Sequence, residues 1–87
     1  MAYLIDFSEK SLKDIEFHKK SGNKSALNKV LIFLTELVTN PFEGTGKPEA
    51  LKHQLTGRWS RRIDKEHRLV YRVEGNFVYI LSAKGHY

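Results

Sequence analysis

The stretch "RWSRRIDKEHRLVYRVEGNFVYILSA" (residues 58–83) decides how this chain folds, because apolar and polar residues alternate along it and then meet a turn signal. In "RWSRRID" (58–64), Trp59, Arg61 and Ile63 share one side, and Ser60 and Arg62 share the other. In "HRLVYRV" (67–73), Leu69, Tyr71 and Val73 make one face, while Arg68, Val70 and Arg72 make the opposite one. "EGN" (74–76) is a hairpin turn signal, and "FVYILSA" (77–83) reads as the last strand. Strands with one apolar face need a second layer to cover it.

The N-terminal half supplies that layer. "YLIDF" (3–7) is short, apolar and partly β-branched, and reads as a first strand. Ser8 offers a hydroxyl N-cap and Glu9 an acidic first turn, so a helix is expected over residues 9–20. Leu12 and Ile15 are its clearest inward positions. "SGN" (21–23) breaks it. In the second helix, Leu27, Val30, Leu31, Leu34, Leu37 and Val38 recur at the three-and-four spacing of a buried face, which Ile32 and Phe33 widen. "TNP" (39–41) ends it, because Pro41 disfavours a helical Asn40. "PFEGTGKPEALKH" (41–53), rich in Gly, Pro and charge, reads as an ordered loop. The expected order is βααβββ. This is an α+β fold with two helices packed on one face of a mainly antiparallel sheet, in a single domain over residues 1–87. No repeat, low-complexity tract or linker interrupts it.

The 87 residues carry 15 Lys and Arg against 10 Asp and Glu, a formal charge of +5. That balance favours a polyanionic partner: RNA, DNA or an acidic protein tail. Much of the charge lies between Lys47 and Arg72, and Arg68 and Arg72, with Arg62 a neighbouring candidate, fall on the face turned away from the helices. Guanidinium groups bind phosphate in a planar, bidentate way that lysine cannot copy. With no cysteine, disulfide and thiolate chemistry are excluded, which fits a cytoplasmic location. The start "MAYLIDFSEK" lacks the basic and apolar regions of a signal peptide, and no apolar run approaches the roughly 20 residues that span a bilayer.

Several chemistries fail on spacing. "GTGK" (44–47) is not a phosphate-binding loop, because Pro41 stands where the first Gly of that motif belongs and Pro48 where its Ser or Thr belongs. The four histidines show no ligand spacing, so no metal site is expected. No G-x-S-x-G string marks a serine nucleophile. Metal-free acid–base chemistry on RNA remains open. It needs a base for the ribose 2′-hydroxyl, an acid for the departing 5′-oxygen, and cations for the charge on the phosphoryl oxygens. The chain offers Glu49 in a basic loop, Arg68 on the sheet face, histidines that titrate near neutral pH, and aromatic side chains such as Tyr87 that can stack on a base. None of these is specific alone.

Together the local strings are. "PFEGTGKPE" (41–49), "LKH" (51–53), "WSRRI" (59–63), "EHRLVY" (66–71) and a terminal "HY" (86–87) occur in this order. They closely resemble the YoeB/Txe family of toxins, within the RelE-like endoribonuclease superfamily. The resemblance implies a RelE-like (microbial RNase-like) fold and an mRNA interferase: a metal-independent endoribonuclease that cuts mRNA at the ribosomal A site and stops translation. It implies no cofactor. It also implies a cognate antitoxin whose disordered tail wraps the toxin, and operator DNA reached only through that complex; a homodimer is left open. Residue by residue, Glu49 resembles the general base, Arg68 the transition-state phosphate ligand, His86 the general acid and Tyr87 a substrate-positioning residue. Lys47, Lys52, His53 and Arg62 fit further phosphate contacts.

Plainer readings stand beside these. Glu49 could be a helix-start carboxylate or a partner for Lys47 or Lys52, and Arg68 an ordinary strand cation. His67 alternates with Leu69 and Tyr71 and reads as structural or exposed; Trp59 and Tyr71 read as packing. Glu49 and His86 could exchange roles or titrate jointly. The competing function is a basic nucleic-acid-binding module without catalysis, and a weaker one is a protein-interaction domain. Finally, "AKGHY" (83–87) is expected to be held by the sheet, with Gly85 permitting a tight bend toward Arg68 and the Glu49 loop.

Overall fold

The computed structural model describes residues 2–85, and the expected roles of His86 and Tyr87 therefore lie outside the described residues. The elements run β1 (Leu4–Phe7), α1 (Glu9–Lys20), α2 (Lys24–Leu37), β2 (Glu49–Ala50), a 3-10 turn (His53–Leu55), β3 (Arg58–Arg62), β4 (Arg68–Glu74) and β5 (Phe77–Ser82). The five strands lie in the order β1-β5-β4-β3-β2. β1 joins β5 in parallel and the other pairs are antiparallel. The α+β architecture matches expectation, with one strand more than βααβββ allows. β2 is two residues inside the stretch read as a loop, and only its pairing to the edge of β3 reveals it.

Helix α1 begins as its sequence predicts, with the Ser8 hydroxyl accepting the Ser11 amide at 3.0 Å. Its buried face does not. Leu12 is 54% exposed, while Ser11, Asp14 and His18 are buried and Ile15 packs at the margin of the core. Apolar periodicity cannot register an inward face built from polar side chains with buried partners. In α2 the inward stripe is Ala26, Val30, Phe33 and Leu37, with Leu34 partly buried. Leu31, Ile32 and Val38 are exposed, contrary to the expected face. This helix is apolar almost all round, so the sequence permits several rotations and the partner surface selects one.

The core joins that stripe to the inner face of the sheet: Leu69 and Tyr71 from β4, Val78 and Ile80 from β5, and Ile63 after β3. Each such side chain contributes about 1.5–3 kcal/mol by burial. Between β4 and β5 the register shifts, with Val70 opposite Ser82 and Tyr71 opposite Ile80, so Leu81 is the extra residue of a bulge. Bulges re-aim a strand, and this one lies just before the C-terminal segment.

Candidate active site

Residues opposite one another on paired strands project from the same face. Glu49 faces Ser60, Ser60 faces Val70, and Val70 faces Ser82, making one row across the sheet. Two residues along lies the pair Arg62↔Arg68, and two residues the other way lies Arg58↔Arg72. The row between them and Arg61↔Leu69 belongs to the helix side, where Arg61, Leu69 and Tyr71 are buried. Glu49, Arg62, Arg68, Arg58 and Arg72 therefore share the face opposite the helices, around Ser60 and Val70, which are buried between them. Strand spacing puts Glu49 about 10 Å across the sheet from β4 and about 7 Å along it from the Arg62↔Arg68 row. That gap suits a phosphodiester between a carboxylate and two long guanidinium side chains.

Two arginine pairs face each other directly on β3 and β4. Like charges at opposed positions destabilise a sheet. Arg72 answers with Glu74 at 3.0 Å and lies over the Tyr79 ring at 5.0 Å. The Arg62↔Arg68 pair lies one same-face row from that of Glu49 and offers two guanidinium groups to a phosphate.

The loop that carries Lys47 and Glu49 is fixed from below by a residue to which the sequence reading gave no role. Arg61 is fully buried. Its guanidinium donates to the Glu36 carboxylate, to the carbonyl oxygens of Asn40 (3.3 Å), Glu43 (2.9 Å) and Thr45 (3.3 Å), and to the Tyr71 hydroxyl (3.2 Å). Tyr71 in turn donates to the Pro41 carbonyl at 2.7 Å. Burial works against the Glu36 anion, yet hydrogen bonds from the Thr45 side chain and amide, then from Arg61, outweigh it and hold its carboxyl below the ordinary value. Burial raises the Tyr71 phenol, with Arg61 opposing. One signal was available: Arg61 alternates with Trp59 and Ile63, so its face was inward from the start.

Next to this hub, Gly46 has φ +82°, and a Cβ there would lie 2.6 Å from the Phe33 ring. The Gly46 carbonyl accepts the Arg62 amide at 2.8 Å, tying the loop to β3 at a site arginine. Lys47 (φ 53°) and His53 (φ 60°) both adopt left-handed backbone conformations without being glycine. Strain of this kind, on the order of 1 kcal/mol each, concentrates at functional positions. One cleft of about 470 Å³ collects Glu49, Lys52 and His53, and another of about 440 Å³ collects Lys47, Arg62 and Lys65. Six of the eight expected site residues thus lie on or at the margin of one face. As expected, β5 pairs beside β4, and Gly85 bends with φ +75° where its carbonyl accepts the Arg68 amide at 3.1 Å. Trp59 packs at the core margin, with Phe42 5.2 Å from its ring. Among the described residues, no group of three or more His, Asp or Glu side chains is placed to hold a metal ion.

The chain matches the family model for a YoeB-like toxin of bacterial type II toxin–antitoxin systems over residues 7–87. It belongs to that family. It is 42% identical to Toxin YoeB of Escherichia coli strain K12 over 81 residues, 93% of this chain and 95% of that one. The YoeB dimer from Staphylococcus aureus superposes with a TM-score of 0.86 at 41% identity, covering all of both chains. A heterotetrameric YoeB–YefM toxin–antitoxin complex from the same organism superposes at 0.84, also with 41% identity and full coverage of both chains. The toxin's fold and its family thus agree with the resemblance carried by residues 41–71 and the terminal "HY". Among the described residues, no helix of this YoeB-like toxin is long and apolar enough to cross a membrane.

Proposed function

We propose that this toxin is a metal-independent endoribonuclease that cuts mRNA in the ribosomal A site and so stops translation. The observation that carries the reading is the opposed Arg62↔Arg68 pair on the same sheet face as Glu49. Glu49 takes the proton of the ribose 2′-hydroxyl as its oxygen attacks phosphorus. The bond to the 5′-oxygen breaks, and His86 protonates that oxygen as it leaves. The products are a 2′,3′-cyclic phosphate and a 5′-hydroxyl. Arg68, aided by Arg62, meets the charge that builds on the phosphoryl oxygens. Tyr87 orders the substrate, and Lys47, Lys52 and His53 contact neighbouring phosphates. The reaction draws on no cofactor.

A cognate antitoxin restrains the activity, in keeping with the YoeB–YefM complex of the S. aureus relative. The exposed Leu31 and Ile32 of α2 offer such a partner apolar surface. Operator DNA is reached only through that complex, the YoeB dimer of S. aureus supports a homodimer, and the cytoplasm is the working compartment.

The competing reading, a binding module without catalysis, separates from this one in the cell. Glu49→Gln and deletion of His86–Tyr87 are each expressed with and without antitoxin. On our reading both variants lose growth inhibition and keep antitoxin binding. Full growth inhibition by either variant would favour the binding module and overturn the proposal.

A further inference from the structure

Strand β5 ends at Ser82, and the chain beyond it is held mainly by side chains from elsewhere, with one backbone bond to the start of β4. The Ala83 amide donates to the Asp14 carboxylate at 2.9 Å, and the Ala83 carbonyl accepts from His18 Nε2 at 2.7 Å. The Lys84 ammonium lies over the Phe17 ring, 4.1 Å from its centre. The Gly85 amide donates to His67 Nδ1 at 2.9 Å, and the Gly85 carbonyl accepts from the Arg68 amide. The His18 and His67 rings meet edge to face, 4.6 Å between centres, with Phe17 against both.

This cluster explains the polar inner face of α1. Asp14 and His18 are buried at positions where an amphipathic helix ordinarily places Leu or Ile. Lys10 satisfies the second demand of the Asp14 carboxylate at 2.8 Å. His67 is held in turn: its amide and that of Glu66 both donate to Asp64 Oδ1 at 2.8 Å. Those two bonds, with help from His67 and Asn23, outweigh burial and hold the Asp64 carboxyl below its ordinary value. The tautomers follow from the partners. A carbonyl partner requires a proton on His18 Nε2, and an amide partner requires a bare Nδ1 on His67.

We propose that Asp14, His18 and His67 form a clamp whose task is to position the C-terminal segment for the reaction, with His67 as its decisive residue. The clamp ends on the backbone of Arg68, and one peptide bond beyond Gly85 the chain reaches His86. A purely stabilising device has no need to carry the chain three residues past the last strand and tie the third of them to the backbone of Arg68. Misplacing a reacting group by about 1 Å costs on the order of 100-fold in rate. His67 is a positioning residue, and its effect on rate rests on the site reading given above.

The test uses the full chain with three variants: His67→Phe keeps the ring and loses the acceptor, His67→Asn restores an acceptor near the position of Nδ1, and His18→Phe removes the donor to Ala83. Two readouts are taken, amide hydrogen exchange at Ala83 and Gly85, and single-turnover cleavage of ribosome-bound mRNA. For His67→Phe we expect about tenfold or faster exchange at Gly85 with unchanged protection in β4 and α2, and cleavage about tenfold or more slower at unaltered RNA affinity. His67→Asn recovers both. His18→Phe carries the same pattern at Ala83. Unchanged Gly85 exchange in His67→Phe overturns the clamp, and released Gly85 with wild-type cleavage overturns its positioning role. If the wild-type chain cuts no RNA, the nuclease reading is what fails, and the exchange at Gly85 alone decides whether the clamp exists.

Discussion

At the scale of single residues, the face opposite the helices sets arginines directly across from one another, and one buried arginine holds the frame beneath them. Arg61 spends its donors on one carboxylate, three carbonyls and a phenol, an arrangement that requires the planar fork of guanidinium. Arg61→Lys, with three donors from a point charge, should lower unfolding free energy by about 2–3 kcal/mol in urea titrations, although the charge is kept. The same hub makes stability pH-dependent. Because Glu36 titrates lower in the fold than its ordinary value of 4.5, its contribution is fully present above that pH and is lost as pH falls through the depressed value. Glu36→Gln should therefore flatten the acid limb of the stability profile while leaving the neutral limb parallel to wild type. Residue-level legibility was uneven for a physical reason. Glu49, Arg62 and Arg68 announce themselves through charge, alternation and family strings. Arg61 and His67 do their work through backbone carbonyls and amides distant in sequence, which no residue pattern displays.

At the scale of elements, the loop from Asn40 to Pro48 has no regular structure of its own and is ordered by what it touches: Glu36 and Phe33 of α2, Arg61 and Arg62 of β3. Gly46 is packed directly against the Phe33 ring. A methyl group there meets the Phe33 ring well inside contact distance and in a backbone conformation that L residues resist. Gly46→Ala should cost about 2–4 kcal/mol, read as a fall in the urea midpoint. At temperatures where the variant remains folded it should also slow RNA cleavage, because the displaced loop carries Lys47 and Glu49. Strand positions in β3, β4 and β5 were legible because alternation with period two is unambiguous when one face is charged. The rotations of α1 and α2 were not. The first buries polar side chains, and the second offers apolar residues on every side, so only the opposing layer could choose among its faces. β2 escaped for want of length.

At the scale of the whole molecule, helices cover one face of the sheet and the arginines of β3 and β4 other than Arg61 lie on the other, with the net charge of +5 concentrated after residue 46. Binding to ribosomes or to RNA should weaken steeply as salt rises, with a log–log slope that becomes shallower by about one for each phosphate contact removed in Lys47→Gln or Lys52→Gln. Filter binding across a salt series would read that slope, and an unchanged slope in both variants would remove these lysines from the RNA path. The fold class and the charged face were legible from alternation and composition. The anchoring of the chain's last segment was not, because it depends on α1 and the turn before β4 meeting three residues beyond the sheet. The central claim is that this toxin cleaves mRNA with Glu49 and Arg68 on that face. The direct measurement maps the ends of an mRNA translated in a purified system by wild type, Glu49→Gln and Arg68→Ala. The account predicts cuts at translated codons leaving 5′-hydroxyl ends, slowed about 100-fold or more in each variant. Intact mRNA with wild type, or cutting by either variant at the wild-type rate, would contradict it.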